Sequence, residues 1–290
     1  MAIPPTFDLQ SHSHHSDGAL APREVVAVAV AAGVELLALS DHDTVDGVPQ
    51  ARAAAGELGV HLVSAVEISA FDENGTDHHI LGYLIDDRDP RLSERLEEYR
   101  THRRRRAAAM AQALTELGFE LDEDLLRRRA AEGKSIGRPH LAQAVLAAPA
   151  NASRLDAEGL MDSSAFLEAY LIEGRPGFRP RSSPSVRESI AAVHEAGGLA
   201  VWAHPFWTGA GREEVLQGID RMHAQGIDGI ECFYPMHGPD QVRLLTERCQ
   251  QLGLLSTGSS DFHGPDHSEF SSFRAFDTYG YEPLLGPIAD

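Results

Sequence analysis

Short apolar runs and helix-like segments alternate along the first 85 residues of the chain. Apolar runs of strand length occupy residues 7–9, 35–40, 61–69 and 79–85. Two segments with helical periodicity lie between them: one has Pro22 in its first turn and Gly33 at its end, and the other spans residues 50–59. Strands separated by helices at this spacing predict βα units in a parallel sheet or barrel, whose functional residues lie at the C-terminal ends of the strands.

The pattern changes between residues 90 and 183, where long helical sequence rich in Arg, Glu, Ala and Leu contains no strand-like run. The alternation resumes at residue 184 and includes a helix over residues 241–252 and a last apolar run that ends near residue 264. We therefore predict one α/β domain, formed by residues 1–89 and 184–290, with a helical insert of residues 90–183. The arginine run 103–106 in the insert is either a solvated helix face or a contact for a substrate phosphate.

The charge of the chain limits its partners. It has 25 Lys and Arg against 44 Asp and Glu, so its formal net charge is -19. This charge disfavours binding of long nucleic acid. Bound divalent cations would nevertheless make the local electrostatic potential positive at the place where a small phosphate binds. Apolar runs are too short for a membrane span, the start of the chain lacks the pattern of a signal peptide, and two cysteines are too few for a disulfide framework. We therefore expect a cytoplasmic protein that does not bind membranes.

Potential metal ligands stand at each predicted strand end. Any one of them has an ordinary structural explanation, but side chains brought by several strands to one barrel mouth are what a multinuclear site requires. Mixed imidazole and carboxylate suits zinc, manganese or iron, and a carboxylate such as Glu67 can bridge two cations. The residues concerned are His12, His14, His15, Asp17, Asp41, His42, Asp43, Glu67, His78, His79, His204, Asp261 and His263.

Several segments resemble the PHP (polymerase and histidinol phosphatase) family of metal-dependent phosphoesterases, in the branch that carries a helical insert and handles nucleotide phosphates. They are SDGALAP, LLALSDHDTVDG, AVEIS, HILGYLID, GRPHLA, AHP and GSSDFHG. The resemblance implies a distorted seven-stranded (β/α) barrel with two to three divalent metal ions at its mouth, which would be Mn, Zn or Fe.

The resemblance also implies three ligand sets. The first metal would take the pair Gln10 and His12 together with Glu67 and Asp261; the second would take Glu67, His79 and His204; and the third would take Asp17, His42 and His263. We assign His79 rather than His78 because it begins HILGY and because adjacent residues of a strand face opposite ways.

Gln10 departs from the family pattern, which usually has histidine two residues before the position of His12. An amide oxygen is a weaker ligand for zinc or iron but an acceptable one for manganese, so we predict a working site with a weakened first position and an altered metal preference. The alternative is an inactive site, which the retention of all the other ligands argues against. His14 or His15 could replace the missing imidazole instead.

The resemblance implies that a hydroxide shared by the metals at Glu67 attacks phosphorus, with Glu67 and Asp261 as catalytic residues. His237 is our candidate for protonating the leaving group, the alternative being an ordinary loop histidine. The insert is expected to cover the site, with Arg138 and His140 of GRPH, and Arg175 and Arg179 of RPGFRPR, at the substrate phosphate or in structural roles.

The leading functional prediction, implied by the resemblance, is a phosphatase of small nucleotides such as 3',5'-bisphosphates or the 5' ends of very short oligonucleotides. One alternative is a phosphatase of a non-nucleotide metabolite, as in the histidinol phosphate branch. The other is a non-catalytic metal-binding accessory domain, and the retention of Glu67, Asp261 and His263 argues against it.

Overall fold

The computed structural model describes residues 5–73, 75–131, 136–180, 184–207 and 209–290. Seven strands in this part of the chain form one sheet whose spatial order follows the sequence. They are β1 (Phe7–Asp8), β2 (Leu36–Leu39), β3 (His61–Phe71), β4 (Asp77–Tyr83), β5 (Leu199–Trp202), β6 (Gly229–Phe233) and β7 (Leu255–Gly258).

Ten α-helices are present in the same described ranges. They are α1 (Pro22–Ala31), α2 (Val48–Leu58), α3 (Pro90–Glu116), α4 (Glu123–Ala131), α5 (Arg138–Ala147), α6 (Ala152–Glu158), α7 (Ser163–Phe166), α8 (Val186–Glu195), α9 (Arg212–Ala224) and α10 (Pro239–Leu252). No helix among these residues combines the length and apolar character needed to cross a membrane.

The sheet curls into a nearly closed barrel, which confirms the predicted α/β barrel class. The backbone N–H of Leu9, next to the end of β1, donates to the carbonyl of Gly258 at the end of β7 (3.2 Å). The buried carboxylate of Asp8 then accepts the backbone N–H groups of Ser260 (2.9 Å) and Arg274 (2.8 Å). Asp8 therefore ties the first strand to the segment that follows the last one.

One strand runs against the parallel direction that we expected. Strand β4 is antiparallel to both β3 and β5, whereas the other neighbouring strands are parallel. The link between β3 and β4 spans only residues 72–76, and a parallel crossover needs about a dozen residues or more. The start of β4 therefore lies beside the end of β3, so residues that begin β4 reach the same edge as residues that follow the parallel strands.

The first two helices pack on the start of the sheet. Val26 and Ala29 of α1 and Ala54 of α2 form one buried cluster with Leu37 and Leu39 of β2. Burial of each branched side chain in the cluster contributes about 1.5 to 3 kcal/mol to the stability of the fold. This packing supports the strand ends from which the loops after β1 and β2 emerge.

The chain divides into two compact units. One consists of Met1–Glu97 and Pro184–Asp290 and contains the barrel, and the other is Glu98–Ser183. The end predicted for the insert, residue 183, lies outside the described residues.

The second unit contains only helices and their connections in its described part, and has its own apolar core. Phe119, Phe166 and Leu141 are buried together in it. The guanidinium of Arg154 lies 3.8 Å from the centre of the Phe119 ring and donates to the carbonyl of Leu117 (2.8 Å).

Candidate metal centre

Glu67 contacts four of the histidines in the candidate centre. Its side chain is fully buried in β3, which continues two residues beyond the predicted run, to Phe71, because β4 pairs with its second half. Oε1 of Glu67 lies 2.5 Å from Nδ1 of His79 and 3.3 Å from Nε2 of His204. The two carboxylate oxygens therefore face different groups, since Oε2 lies 3.1 Å from Nε2 of His12 and 3.6 Å from Nδ1 of His42.

Asp261 completes the group around His12. It follows β7, and its Oδ1 lies 3.1 Å from Nε2 of His12. Its other oxygen accepts the hydroxyl of Tyr234 (2.8 Å). Sequence reasoning did not single out Tyr234, although it directly follows β6, where our rule for strand ends would have placed a functional residue.

A third group forms around Asp17. Its Oδ2 lies 3.6 Å from Nε2 of His42, and its Oδ1 lies 3.4 Å from Nε2 of His263. His12 approaches the same carboxylate through Nδ1, at 3.8 Å. Asp17 thus joins the loop after β1 to those after β2 and β7.

These side chains fit a set of divalent cations. Three groups have ligand atoms that all lie within 4.8 Å of one another: His12, Asp17, His42 and His263; His42, Glu67 and His79; and His12, Glu67 and Asp261. Nδ1 of His42 is buried and has no hydrogen-bond partner, and burial lowers the pKa of His42 to about 4. A neutral imidazole with a free lone pair is the form that binds a metal.

Comparison with known proteins supports this assignment. Residues 8–130 match the sequence model of the PHP domain. The chain is 33% identical to the 3',5'-nucleoside bisphosphate phosphatase of Chromobacterium violaceum over 259 residues, which cover 89% of this chain and 87% of that protein. The chain belongs to the PHP family. It is 32% identical over 259 residues to the 5'-3' exoribonuclease of Haemophilus influenzae, covering 89% of this chain and 90% of that one.

A solved structure agrees with the fold. The crystal structure of a proposed metal-dependent phosphoesterase from Bifidobacterium adolescentis has a TM-score of 0.72 to this chain and 33% sequence identity, and the match covers 92% of this chain and 91% of that one. The PHP barrel is confirmed, and this PHP protein is a metal-dependent phosphoesterase, hence a hydrolase.

Two features of the loop after β1 fix the position of the ligand His12. The carboxylate of Asp41 accepts the backbone N–H and hydroxyl of Ser13 and the hydroxyl of Ser16, each at 2.7 Å, which holds the loop that carries His12. A Cβ at Gly18 would lie 2.2 Å from the carbonyl oxygen of His12, so the loop can close only around glycine.

The backbone is strained where two of the ligands leave their strands. His204 has φ 30° and Asp261 has φ 54°, in the left-handed region that residues other than glycine rarely adopt. Such strain costs of order 1 to 3 kcal/mol and persists where the surroundings dictate it. Here it turns both side chains toward Glu67 and His12.

The acidic groups of the centre stay ionised. Burial opposes the charge on Glu67, but at the low pH where this carboxyl would titrate the protonated rings of His42 and His79 outweigh burial and hold its pKa well below the usual range. Burial likewise opposes ionisation of Asp17, and the protonated form of His42 holds the pKa of that carboxyl well below its usual range. For Asp261, His263 and His12 overcome burial and lower the pKa to about 2. The centre therefore offers anionic oxygen to cations.

The structure separates the two adjacent histidines of β4. Whereas His79 faces Glu67, Nε2 of His78 lies 3.4 Å from Asp72, and its ring meets Trp202 edge-on at 5.4 Å between centroids. His14 and His15 contact each other, with ring centroids 4.8 Å apart. Neither belongs to a candidate metal group among the described residues.

His237 is buried, and its ring centroid lies 5.3 Å from that of Tyr234, the residue that donates to Asp261. Its Nδ1 lies 3.0 Å from the carbonyl of Cys232, so this nitrogen donates, and its Nε2 has no hydrogen-bond partner. Burial lowers the pKa of His237 to about 4, so its ring is neutral at pH 7. The leaving-group role predicted for it stays untested, and a neutral Nε2 is better suited to accepting a proton than to donating one.

The residues predicted to bind phosphate lie in the second unit. Arg138 begins α5, and Nδ1 of His140 accepts the backbone N–H of Gly137 (3.0 Å). Arg179 donates to the carbonyls of Pro176 (3.1 Å) and Phe178 (2.7 Å) in its own loop. Their role at a substrate stays a prediction from the sequence.

Proposed function

We propose that this PHP protein hydrolyses phosphate monoesters of small nucleotides, such as 3',5'-bisphosphates or the 5' ends of very short oligonucleotides, with two to three ions of Mn, Zn or Fe. The observation that carries the proposal is that the two carboxylate oxygens of Glu67 face two different sets of imidazoles. A carboxylate placed in this way suits a pair of cations that share it.

The side chains have separate tasks in this proposal. Glu67 serves two ligand sets at once, with His12 and Asp261 on one side and His79 and His204 on the other. Asp17, His42 and His263 form the third set. Divalent ions held there would lower the pKa of a water molecule and neutralise charge on the transferring phosphate oxygens.

The supporting residues keep this arrangement rigid. Tyr234 donates its hydroxyl to Asp261 (2.8 Å), which fixes the direction of that carboxylate, and Asp41 holds the loop of His12 through Ser13 and Ser16. Partners of this kind orient ligands and commonly change metal affinity by about 10- to 100-fold when they are removed.

An exposed aromatic ring favours a nucleotide over a non-aromatic phosphate ester. Trp207 is 48% exposed, and its ring centroid lies 5.8 Å from that of His204 and 5.7 Å from that of the buried Phe270. A flat apolar ring beside a metal ligand can stack on a base, which contributes about 1 to 3 kcal/mol. The names of the two relatives, a nucleoside bisphosphate phosphatase and an exoribonuclease, support the same substrate class.

The proposal is tested with protein stripped of metal and reloaded with Mn²⁺. Phosphate release is measured from a nucleoside 3',5'-bisphosphate, a 5'-phosphorylated trinucleotide and histidinol phosphate. We expect the first two to have the higher kcat/KM. A clear preference for histidinol phosphate would favour the non-nucleotide alternative. Since the chain is a hydrolase, the non-catalytic alternative is not retained.

Trp207 allows a sharper version of the test. Trp207→Ala should raise KM for the nucleotides by about 5- to 150-fold, from the loss of about 1 to 3 kcal/mol of stacking, and leave kinetics on a non-aromatic phosphate ester such as glycerol 3-phosphate unchanged. Trp207→Phe, which keeps an aromatic ring, is the matched control. An equal effect of Trp207→Ala on all substrates would remove the support that this residue lends to a nucleotide. The cytoplasmic location stays a prediction from the sequence.

A further inference from the structure

The amide of Gln10 stands between two sets of buried oxygen atoms. Its side chain is fully buried, Nε2 donates to Oε2 of Glu67 (2.8 Å), and Oε1 lies 3.3 Å from the hydroxyl oxygen of Ser259. That hydroxyl oxygen lies 2.6 Å from Oε1 of the buried Glu231, whose other oxygen accepts the backbone N–H of His204 (2.9 Å). A continuous buried chain of hydrogen bonds thus links Gln10 to the strand end that carries His204.

This chain can accommodate the amide of Gln10 in either orientation. Its nitrogen and oxygen are nearly identical in size, so a half-turn of the amide group exchanges them with little displacement of other atoms. The hydroxyl of Ser259 can accept a hydrogen bond from Nε2 as readily as it can donate one to Oε1. In both orientations, Glu231 keeps the serine hydroxyl in place.

The two orientations differ in what they present to Glu67. With Nε2 toward Glu67, the amide donates to the carboxylate directly. After the half-turn, the amide oxygen would lie about 2.8 Å from the carboxylate oxygen, and two such oxygens attract each other only through a cation that they share. His12 and Asp261, the other residues of that ligand set, already meet at this position.

We propose that Gln10 ligates the first cation through Oε1 in the turned orientation, and that Ser259, anchored by Glu231, is the positioning residue that receives its Nε2. The inference rests on the metal centre of the proposed function but not on the identity of the substrate. The glutamine is then an oxygen ligand with its own buried support, and this position favours Mn²⁺, which accepts amide oxygen more readily than zinc does.

The test is direct Mn²⁺ binding without substrate, on metal-stripped protein, by titration and by elemental analysis after dialysis. Gln10→Ala and Ser259→Ala should each weaken one Mn²⁺ position by about tenfold or more and leave the others unchanged. The double variant should bind no more weakly than Gln10→Ala, because Ser259 acts through Gln10. Ser259→Thr, which keeps the hydroxyl, should bind as the unmodified protein does.

Additive losses in the double variant, or unchanged binding by a folded Ser259→Ala protein, would overturn the inference. A second measurement needs no variant: in a crystal structure of the Mn²⁺-loaded protein, anomalous scattering should place a cation at coordination distance from the Gln10 side chain. A Mn²⁺-loaded structure in which no cation contacts the Gln10 side chain would also overturn the inference. If the unmodified protein binds no Mn²⁺ at all, the proposed function fails as well, so the two failures are distinguishable.

Discussion

Replacing Glu67 with glutamine should abolish phosphate release and leave the fold intact. The substitution keeps the size of the side chain but removes its negative charge and one of its two acceptor oxygens. Those oxygens lie 2.5 to 3.6 Å from nitrogens of four histidines, so the change reaches both of the ligand sets that Glu67 joins.

The expected size of the effect follows from the centre's charge balance. A metal ion supplies several kcal/mol of charge stabilisation to a phosphoryl transition state. Weakening two cation positions should remove most of this stabilisation. A loss of about 4 kcal/mol corresponds to a fall of roughly 10³-fold in rate, at about 1.4 kcal/mol for each factor of ten. The kcat of Glu67→Gln should therefore fall by about 10³-fold or more.

The assay is phosphate release at saturating Mn²⁺, with metal content and thermal unfolding measured on the same preparations. Glu57→Gln is the matched control, because Glu57 is an exposed carboxylate of α2 that pairs with Arg23. It should retain full turnover. Glu67→Gln protein that keeps turnover within about tenfold of the unmodified enzyme at full metal load would refute the shared-carboxylate mechanism.

The other predictions concern single features of the molecule. His79→Ala should lower metal retention and turnover far more than His78→Ala, and equal losses would show that the faces of β4 are wrongly assigned. Gln10→His should strengthen metal retention at the first position and shift preference from manganese toward zinc or iron; unchanged metal content after dialysis against a chelator would mean that Gln10 does not reach the metal. A nucleoside bisphosphate and a short 5'-phosphorylated oligomer should be turned over faster than a long strand, because the net charge of -19 repels uncompensated phosphates, and faster processing of the long strand would contradict this. Asp8→Ala should lower the free energy of unfolding by about 2 to 4 kcal/mol in urea denaturation, because one buried and one partly buried backbone N–H group lose their acceptor. A loss well below 1 kcal/mol would show that Asp8 does not close the barrel.

Much of the centre was predictable because it depends on local rules. Short apolar runs marked the strands, and most of the predicted ligands lie in or just after them. Strand alternation required His78 and His79 to point to opposite faces, and the position of His79 at the start of HILGY selected it as the ligand. Gln10 was visible as a departure because it stands two residues from His12 in a short, recognisable segment.

Only the tertiary structure decided which groups meet across the barrel. An apolar run does not encode the direction of its strand, so the antiparallel course of β4 depended on its pairing with β3 and β5. Tyr234, Ser259 and Glu231 act on residues far from them in the sequence, and no local pattern specifies such partners. The physical reason is that periodicity records which face of an element is buried, whereas the hydrogen bonds of a buried polar group depend on which other strand ends the closed barrel brings beside it.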